Sequence, residues 1–77
     1  MRWVPAVSKQ RRVLGENLRN YRKRLNFTQE KLAEKTDLSV VFISLVENGR
    51  RSISIDSMLR IAKALHVHLE DLVRGVR

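Results

Sequence analysis

The residues between positions 28 and 51 include polar and cationic side chains suited to binding phosphate groups. Thr28 and Gln29 stand at the predicted start of a helix, where unpaired backbone N–H groups attract anions. Asn48, Arg50 and Arg51 follow the end of the next predicted helix, and arginine binds phosphate through paired hydrogen bonds. We interpret these five residues as a phosphate-contacting set, with helix capping as the alternative role of Asn48.

The helix predicted at residues 39–48 carries aliphatic residues outside its core face, which consists of Phe42, Ile43 and Val46. Exposed aliphatic side chains on so short a helix predict a contact surface, with surface scatter or the edge of the core as the alternative. Against the major groove of DNA, such side chains cannot hydrogen-bond adenine, but they can pack on thymine methyl groups. The predicted base-reading set is Ser39, Val40, Val41, Ser44 and Leu45. The alternative role of Ser39 is helix capping, and the alternative for Ser44 is a solvated surface hydroxyl.

Neither catalysis nor metal binding is indicated by the remaining residues. The sequence has no nucleophile–base pairing signal, no glycine-rich phosphate loop and no paired carboxylates typical of a cleft. His66 and His68 are two positions apart, which does not bring both to one helix face, and no cysteine completes a site. We therefore expect no enzymatic activity, no metal and no other cofactor.

The 77-residue chain has a formal net charge of +8, and most of the excess lies in its first third. Residues 1–27 contain eight basic groups and one acidic group, which indicates a polyanion-facing surface, with a merely solubilising basic helix as the alternative. The longest uncharged run, residues 38–46, is too short to span a membrane. We expect a cytoplasmic protein with one small domain.

Helical periodicity and capping residues predict an all-α chain of five helices. The predicted helices run from Lys9 to Leu25, from the cap Thr28 to Thr36, from Ser39 to about Asn48, from Ile55 to about His66 and from Leu69 to Val73. In the fourth helix, the apolar stripe is Ile55, Met58, Leu59, Ala62 and Leu65. Residues 1–8 form a predicted arm that contains Trp3. Residues 9–75 form the predicted domain, with a helix-turn-helix at about 28–48.

Three motifs follow one another along the chain: Thr28-Gln29-x-x-Leu32-Ala33, then Ile43-x-x-Val46-Glu47-Asn48-Gly49, then Met58-Leu59-x-Ile61-Ala62-x-Ala64-Leu65. In this order and spacing they resemble the phage repressor and Cro family of helix-turn-helix proteins, also called the xenobiotic-response-element family, over residues 13–72. The resemblance implies a compact five-helix, lambda-repressor-like domain. It also implies an ion pair between Arg22 and Glu47, with an exposed Glu47 that has no fixed partner as the alternative.

The sequence departs from this family at three places. Asp37 stands where the turn usually has glycine, although aspartate tolerates the left-handed region better than most residues. His68 replaces a Ser or Thr cap, and Val40 and Val41 stand where well-studied phage repressors carry glutamines. In size the chain resembles phage-type repressors and the small controller proteins of restriction-modification systems.

The resemblance implies a sequence-specific transcriptional regulator. A homodimer would bind a palindromic or pseudo-palindromic site in double-stranded DNA, with residues 39–48 in the major groove. We expect the dimer interface at Val67, Leu69, Leu72 and Val73, together with the end of the fourth helix, and the arm with its Trp3 is the second candidate. We expect no membrane partner and no small-molecule ligand. The alternative is an antitoxin-like protein-interaction module that uses the same helix surface and binds DNA only non-specifically.

Overall fold

A computed structural model describes residues 8–77. Residues 1–7, which include Trp3 and most of the predicted arm, lie outside the described part. Five α-helices follow in order: α1 (Lys9–Arg24), α2 (Gln29–Thr36), α3 (Val40–Glu47), α4 (Ile55–Leu65) and α5 (Leu69–Leu72). No strand occurs among residues 8–77. The predicted all-α fold class is confirmed, and the predicted helix ends lie within one or two residues of those observed.

Hydroxyl side chains cap the N-termini of the first four helices. Each accepts a hydrogen bond from the backbone N–H three residues later: Ser8 from Arg11, Thr28 from Lys31, Ser39 from Phe42 and Ser54 from Ser57. These bonds satisfy N–H groups that have no partner within the helix. At α5 the backbone N–H of His68 instead donates to the Asp71 carboxylate at 2.9 Å, so the start of this short helix is stabilised without a hydroxyl cap.

Residues with positive φ end or follow the helices. Asp37 has a φ of 58° at the end of α2, and it occupies the turn position where glycine is usual in the resembled family. Asn26 follows α1 with a φ of 58°, and His66 ends α4 with a φ of 59°. The fourth helix therefore stops at Leu65, one residue before its predicted end, because His66 adopts the left-handed conformation of a C-cap.

The core is enclosed by all five helices, and each of them contributes at least one buried apolar residue. α3 packs on α1 and α2, α2 packs on α4, and α5 packs on both α4 and α1. The buried apolar residues are Leu18, Leu32, Ala33, Ile43, Val46, Ile61, Ala62, Leu65 and Leu72. The helix-turn-helix is thus held from both sides, by α1 against α3 and by α4 against α2.

The buried face of α4 differs from the face that its sequence pattern indicated. Ile61, Ala62 and Leu65 are buried, whereas Ile55 is 57% exposed and Leu59 is 49% exposed. Both α2 and α5 pack against α4, and their positions determine which side of the helix turns inward. Ile55 and Leu59, one helical turn apart, form an apolar stripe on the surface.

Leu72 belongs to the core, and its predicted place in a dimer interface is wrong. Its exposure is 0%, so no surface remains for a second subunit. The amide of Asn17 donates to the carbonyl oxygens of Leu72 and Arg74, each at 2.8 Å, which ties the end of α5 to α1. The other three predicted interface residues, Val67, Leu69 and Val73, remain half-buried at the surface.

Gly15 lets α1 approach the end of α3. A Cβ atom at this position would overlap the carbonyl oxygen of Val46 and lie 2.6 Å from that of Glu47. Both obstacles are backbone atoms, which cannot move aside as a flexible side chain could. The helix pair therefore requires glycine here, although glycine is usually unfavourable inside a helix.

Replacing Gly15 by alanine should lower the free energy of unfolding by about 1–3 kcal/mol, because the overlap outweighs the better helix propensity of alanine. Urea denaturation followed by circular dichroism measures this change. Asn20→Ala, at an exposed position of the same helix, is the matched control and should cost nothing. Equal or higher stability of Gly15→Ala would contradict the close approach of α1 to α3.

Candidate nucleic-acid interface

The turn between α2 and α3 is fixed by short-range contacts. The Thr36 hydroxyl donates to the carbonyl oxygen of Leu32 at 2.7 Å, and the backbone N–H of Leu38 donates to that of Ala33 at 3.2 Å. Ala33 is 6% exposed, and its small side chain permits the two helices to cross closely. These contacts set the angle at which α3 leaves the turn.

Glu47, the last residue of α3, has a buried carboxylate with donors from two other helices. Arg22 on α1 donates to Oε2 through Nε at 2.6 Å and to Oε1 through its terminal nitrogen at 3.0 Å. The Gln29 amide on α2 donates at 3.1 Å, and Arg19 Nε donates at 3.4 Å. The structure contains the ion pair that the family resemblance implied, and it adds Gln29 and Arg19 to the same carboxylate.

Arg22 and Glu47 are both buried, with side-chain exposures of 10% and 0%. Arg22 also donates to the carbonyl oxygen of Phe27 at 2.8 Å, so its guanidinium joins α1, α3 and the connection to α2. A buried charge without a partner is strongly destabilising, whereas paired and fully hydrogen-bonded charges are tolerated. The arrangement therefore fixes α3 relative to both preceding helices.

Glu47 is ionised in this environment at neutral pH. Burial alone would raise the pKa of Glu47, because it disfavours the charged form. Hydrogen bonds from Arg22, Gln29 and Arg19, together with the positive charge of Arg22, outweigh burial and hold the pKa of Glu47 below its ordinary value of 4.5.

The predicted base-reading residues differ in exposure. Val41 is 69% exposed, the largest fraction among the exposed large hydrophobic residues of the described chain, and Val40 is 36% exposed. Ser39 is also exposed, but its hydroxyl accepts the capping hydrogen bond from Phe42 at 3.0 Å. Ser44 and Leu45 are half-buried. The first turn of α3 is therefore its most accessible part.

Two of the predicted phosphate contacts have side chains that are already engaged. The Gln29 amide donates to Glu47, and the Asn48 amide donates to the Ser44 carbonyl oxygen at 2.8 Å while its oxygen accepts from Arg19 at 3.1 Å. Asn48 thus also fills the capping role that was its alternative. Each residue positions α3, which leaves the backbone N–H groups at the start of α2 as donors beside Gln29.

Thr28, Arg50 and Arg51 remain at the surface. The Thr28 hydroxyl serves as the cap of α2. Both arginines are exposed, and the Arg51 guanidinium carbon lies 5.4 Å from the centre of the Phe42 ring. This distance permits a cation–π contact, which would hold Arg51 close to α3.

The structure also brings α1 arginines to the loop after α3. Gly49 has a φ of 73°, and a Cβ there would lie 3.0 Å from the Cα atom of Arg12. Arg11 and Arg51 line the same shallow surface groove. The structure places Arg11 and Arg12 on α1, beside the loop that carries Arg50 and Arg51. Nothing in their spacing along the chain indicated this proximity.

Residues 8–77 contain no group of three or more histidine, aspartate or glutamate side chains placed to bind a metal ion. Within the same range, no helix has the length and apolar character required to cross a membrane.

Known proteins share this sequence pattern and this fold. The family model described as helix-turn-helix matches residues 18–72. Control protein C.BamHI from Bacillus amyloliquefaciens is 41% identical over 64 residues, which cover 82% of this chain and 79% of that protein.

Solved structures agree with these matches. The restriction-modification controller protein C.AhdI from Aeromonas hydrophila has a TM-score of 0.83 at 29% identity, and the alignment covers 84% of this chain and 98% of that one. SinR, a master regulator for biofilm formation solved in complex with DNA, has a TM-score of 0.74 at 25% identity, covering 77% and 95%.

The stability of the protein should depend on the ionisation of Glu47. Because the folded-state pKa lies below 4.5, the stabilisation is fully present above the unfolded-state pKa and is lost as pH falls through the folded-state pKa. The free energy of unfolding of the wild type should therefore drop below about pH 4.5. Glu47→Gln should be less stable at pH 7 by about 1.5–3 kcal/mol, because it loses hydrogen bonds to a charged group, and its pH profile should be flatter.

Urea denaturation at a series of pH values between neutral and about pH 3 measures both effects. Glu70→Gln, at an exposed position on α5, should keep the wild-type profile and controls for general charge effects. Parallel pH profiles of Glu47→Gln and the wild type would show that Glu47 does not carry this pH dependence.

Proposed function

This chain belongs to the helix-turn-helix family and is a DNA-binding transcriptional regulator, and we propose that it binds a palindromic or pseudo-palindromic operator as a homodimer. In this proposal residues 9–75 form the DNA-binding domain, and α3 lies in the major groove. The protein acts by binding alone, without catalysis, in the cytoplasm where its DNA is found.

The observation that carries the proposal is the exposed first turn of α3 on a helix whose opposite side is immobilised. Val41 is 69% exposed, while Ile43, Val46 and Glu47 on the same helix are at most 2% exposed. A reading helix needs this division, because base contacts require a rigid support. The reading face consists of Ser39, Val40, Val41, Ser44 and Leu45.

Phosphate contacts are proposed on both sides of this face. The start of α2 offers backbone N–H groups next to Thr28 and Gln29, with the positive end of the helix dipole behind them. On the other side, Arg50 and Arg51 in the loop after α3 provide charged donors, with Asn48 at the helix end. Such contacts fix the register of the protein on the duplex, whereas the reading face supplies sequence discrimination.

A homodimer is proposed because one short recognition helix contacts too few base pairs for tight specific binding. The proposed interface consists of the apolar stripe of Ile55 and Leu59 together with Val67, Leu69 and Val73. The stripe supports this assignment because its two large aliphatic side chains are about half exposed, as contacts to a partner require. Leu72 is excluded from the interface because it is buried within the protomer.

A protein-interaction module is the second candidate, and the aliphatic character of Val40 and Val41 is the observation that favours it. A surface that binds another protein would also expose aliphatic residues at its centre. This candidate predicts DNA binding that depends on salt but has no preferred sequence. The two functions therefore differ in a single measurable property, the presence of a consensus site.

Selection of binding sites from a random duplex pool, at about 150 mM salt, tests the proposed function. We expect enrichment of a two-fold-symmetric sequence whose half-sites are about one helical turn apart. Recovery of DNA without a consensus would exclude a sequence-specific operator and favour the protein-interaction module.

The dimer interface is tested by the double substitution Ile55→Ser and Leu59→Ser. Both positions are exposed in the protomer, so the variant should fold, and its dimer dissociation constant should rise roughly tenfold or more because apolar burial is lost in both subunits. Sedimentation equilibrium measures the constant. Leu25→Ser, on α1 and 37% exposed, is the matched control. An unchanged dissociation constant in the double variant would place the interface elsewhere.

A further inference from the structure

The accessible turn of α3 presents side chains that carry no hydrogen-bonding group. Val41 and Val40 are the exposed aliphatic residues of this turn, at 69% and 36%. The neighbouring Ser39 hydroxyl accepts the capping hydrogen bond from the Phe42 backbone at 3.0 Å. In its most exposed part, the helix therefore offers methyl groups to its partner.

Valine distinguishes the bases of a duplex in a limited way. In the major groove, thymine shows an acceptor and a C5 methyl group, whereas cytosine shows an amino donor and no methyl group. The methyl groups of valine cannot detect the difference between the acceptor and the donor. A valine in contact with the pyrimidine edge can therefore respond only to the presence or absence of the methyl group.

The same response applies to a modified base. Methylation of cytosine places a methyl group on the same ring carbon that carries the methyl group of thymine. To a side chain that detects only this group, 5-methylcytosine and thymine are equivalent, and unmethylated cytosine and uracil are equivalent. The hydrogen-bonding glutamines of the resembled phage repressors would separate the members of each pair, because they also detect the exocyclic oxygen or nitrogen.

We propose that Val41, supported by Val40, makes this protein a reader of pyrimidine 5-methyl groups, so that one position of each half-site accepts thymine or 5-methylcytosine and disfavours unmethylated cytosine. This inference rests on the proposed function, because it requires α3 to lie in the major groove. Operators with cytosine at that position would be bound weakly until they are methylated, which makes binding sensitive to cytosine methylation.

The expected effect is modest at one contact and larger in the dimer. Burial of one methyl group against an aliphatic side chain corresponds to about a fourfold change in affinity. A homodimer makes the contact twice, so modification of both half-sites should change the affinity about fifteenfold. Differences of this size are measurable by fluorescence anisotropy with labelled duplexes.

The test uses duplexes based on the selected operator. In one series each thymine is replaced by deoxyuridine, which removes the methyl group and keeps the base pairing. In a second series, cytosine or 5-methylcytosine occupies the position that the first series identifies. We expect deoxyuridine to weaken binding about fourfold per half-site at that position, and 5-methylcytosine to bind about fourfold more tightly than cytosine.

Variants of the protein assign the effect to the side chain. Val41→Ala should bind the thymine and deoxyuridine duplexes almost equally, because alanine is too short to contact the methyl group. Leu25→Ala, which removes an exposed aliphatic side chain on α1, should keep the full discrimination. Equal loss of affinity by Val41→Ala on both duplexes would overturn the proposed role of this residue.

The failure of this inference differs from the failure of the proposed function. A consensus site at which deoxyuridine and thymine are bound equally at every position would overturn methyl reading and leave the regulator intact. The absence of any consensus site would refute sequence-specific operator binding itself, and methyl reading with it.

Discussion

The buried carboxylate of Glu47 is the constraint on which the position of α3 depends. It accepts hydrogen bonds from Arg22 and Arg19 on α1 and from Gln29 on α2, and it has no exposed surface. The backbone of the same residue lies against Gly15, two helical turns before Arg22 on α1. One face of α1 therefore contacts both the backbone and the side chain of Glu47. The end of α3 cannot rotate or slide without separating charges in the interior.

The exposure of Val40 and Val41 follows from this constraint. Turning α3 about its axis to bury these two residues would move the Glu47 carboxylate away from Arg22, and the cost of an unpaired buried charge exceeds the gain from burying a valine. The aliphatic residues therefore stay at the surface because an interaction at the opposite end of the helix keeps them there. A buried ion pair adds little to stability by itself, but here it determines which side chains a partner meets.

The sequence predicted those features that depend on neighbouring residues along the chain. The cap Thr28, the capping role of Ser39 and the left-handed Asp37 all occur where they were expected, because each depends on a few adjacent residues. Features that depend on distant packing were predicted less well. Periodicity shows which residues share an apolar stripe, but it does not show from which side the neighbouring helices pack against the stripe. For this reason the sequence did not predict that Leu59 is exposed and Leu72 is buried. The proximity of Arg12 to the loop after α3 likewise follows only from the crossing of α1 and α3.

The proposed reading face and the proposed dimer interface lie on different helices, and the packing of α2 connects them. α2 contacts α3 on one side and α4 on the other, and the amide of Gln29 extends the first contact to the buried carboxylate. In the proposed dimer, the apolar stripe on α4 lies near the two-fold axis, so the contacts of α2 set the distance from that axis to α3. Because half-site spacing on DNA is fixed by the helical repeat, a dimer of this kind requires α2 to hold α3 and α4 at a constant separation. The charged network beneath α3 meets this requirement better than an adaptable apolar contact would, because displacing α3 would separate buried charges.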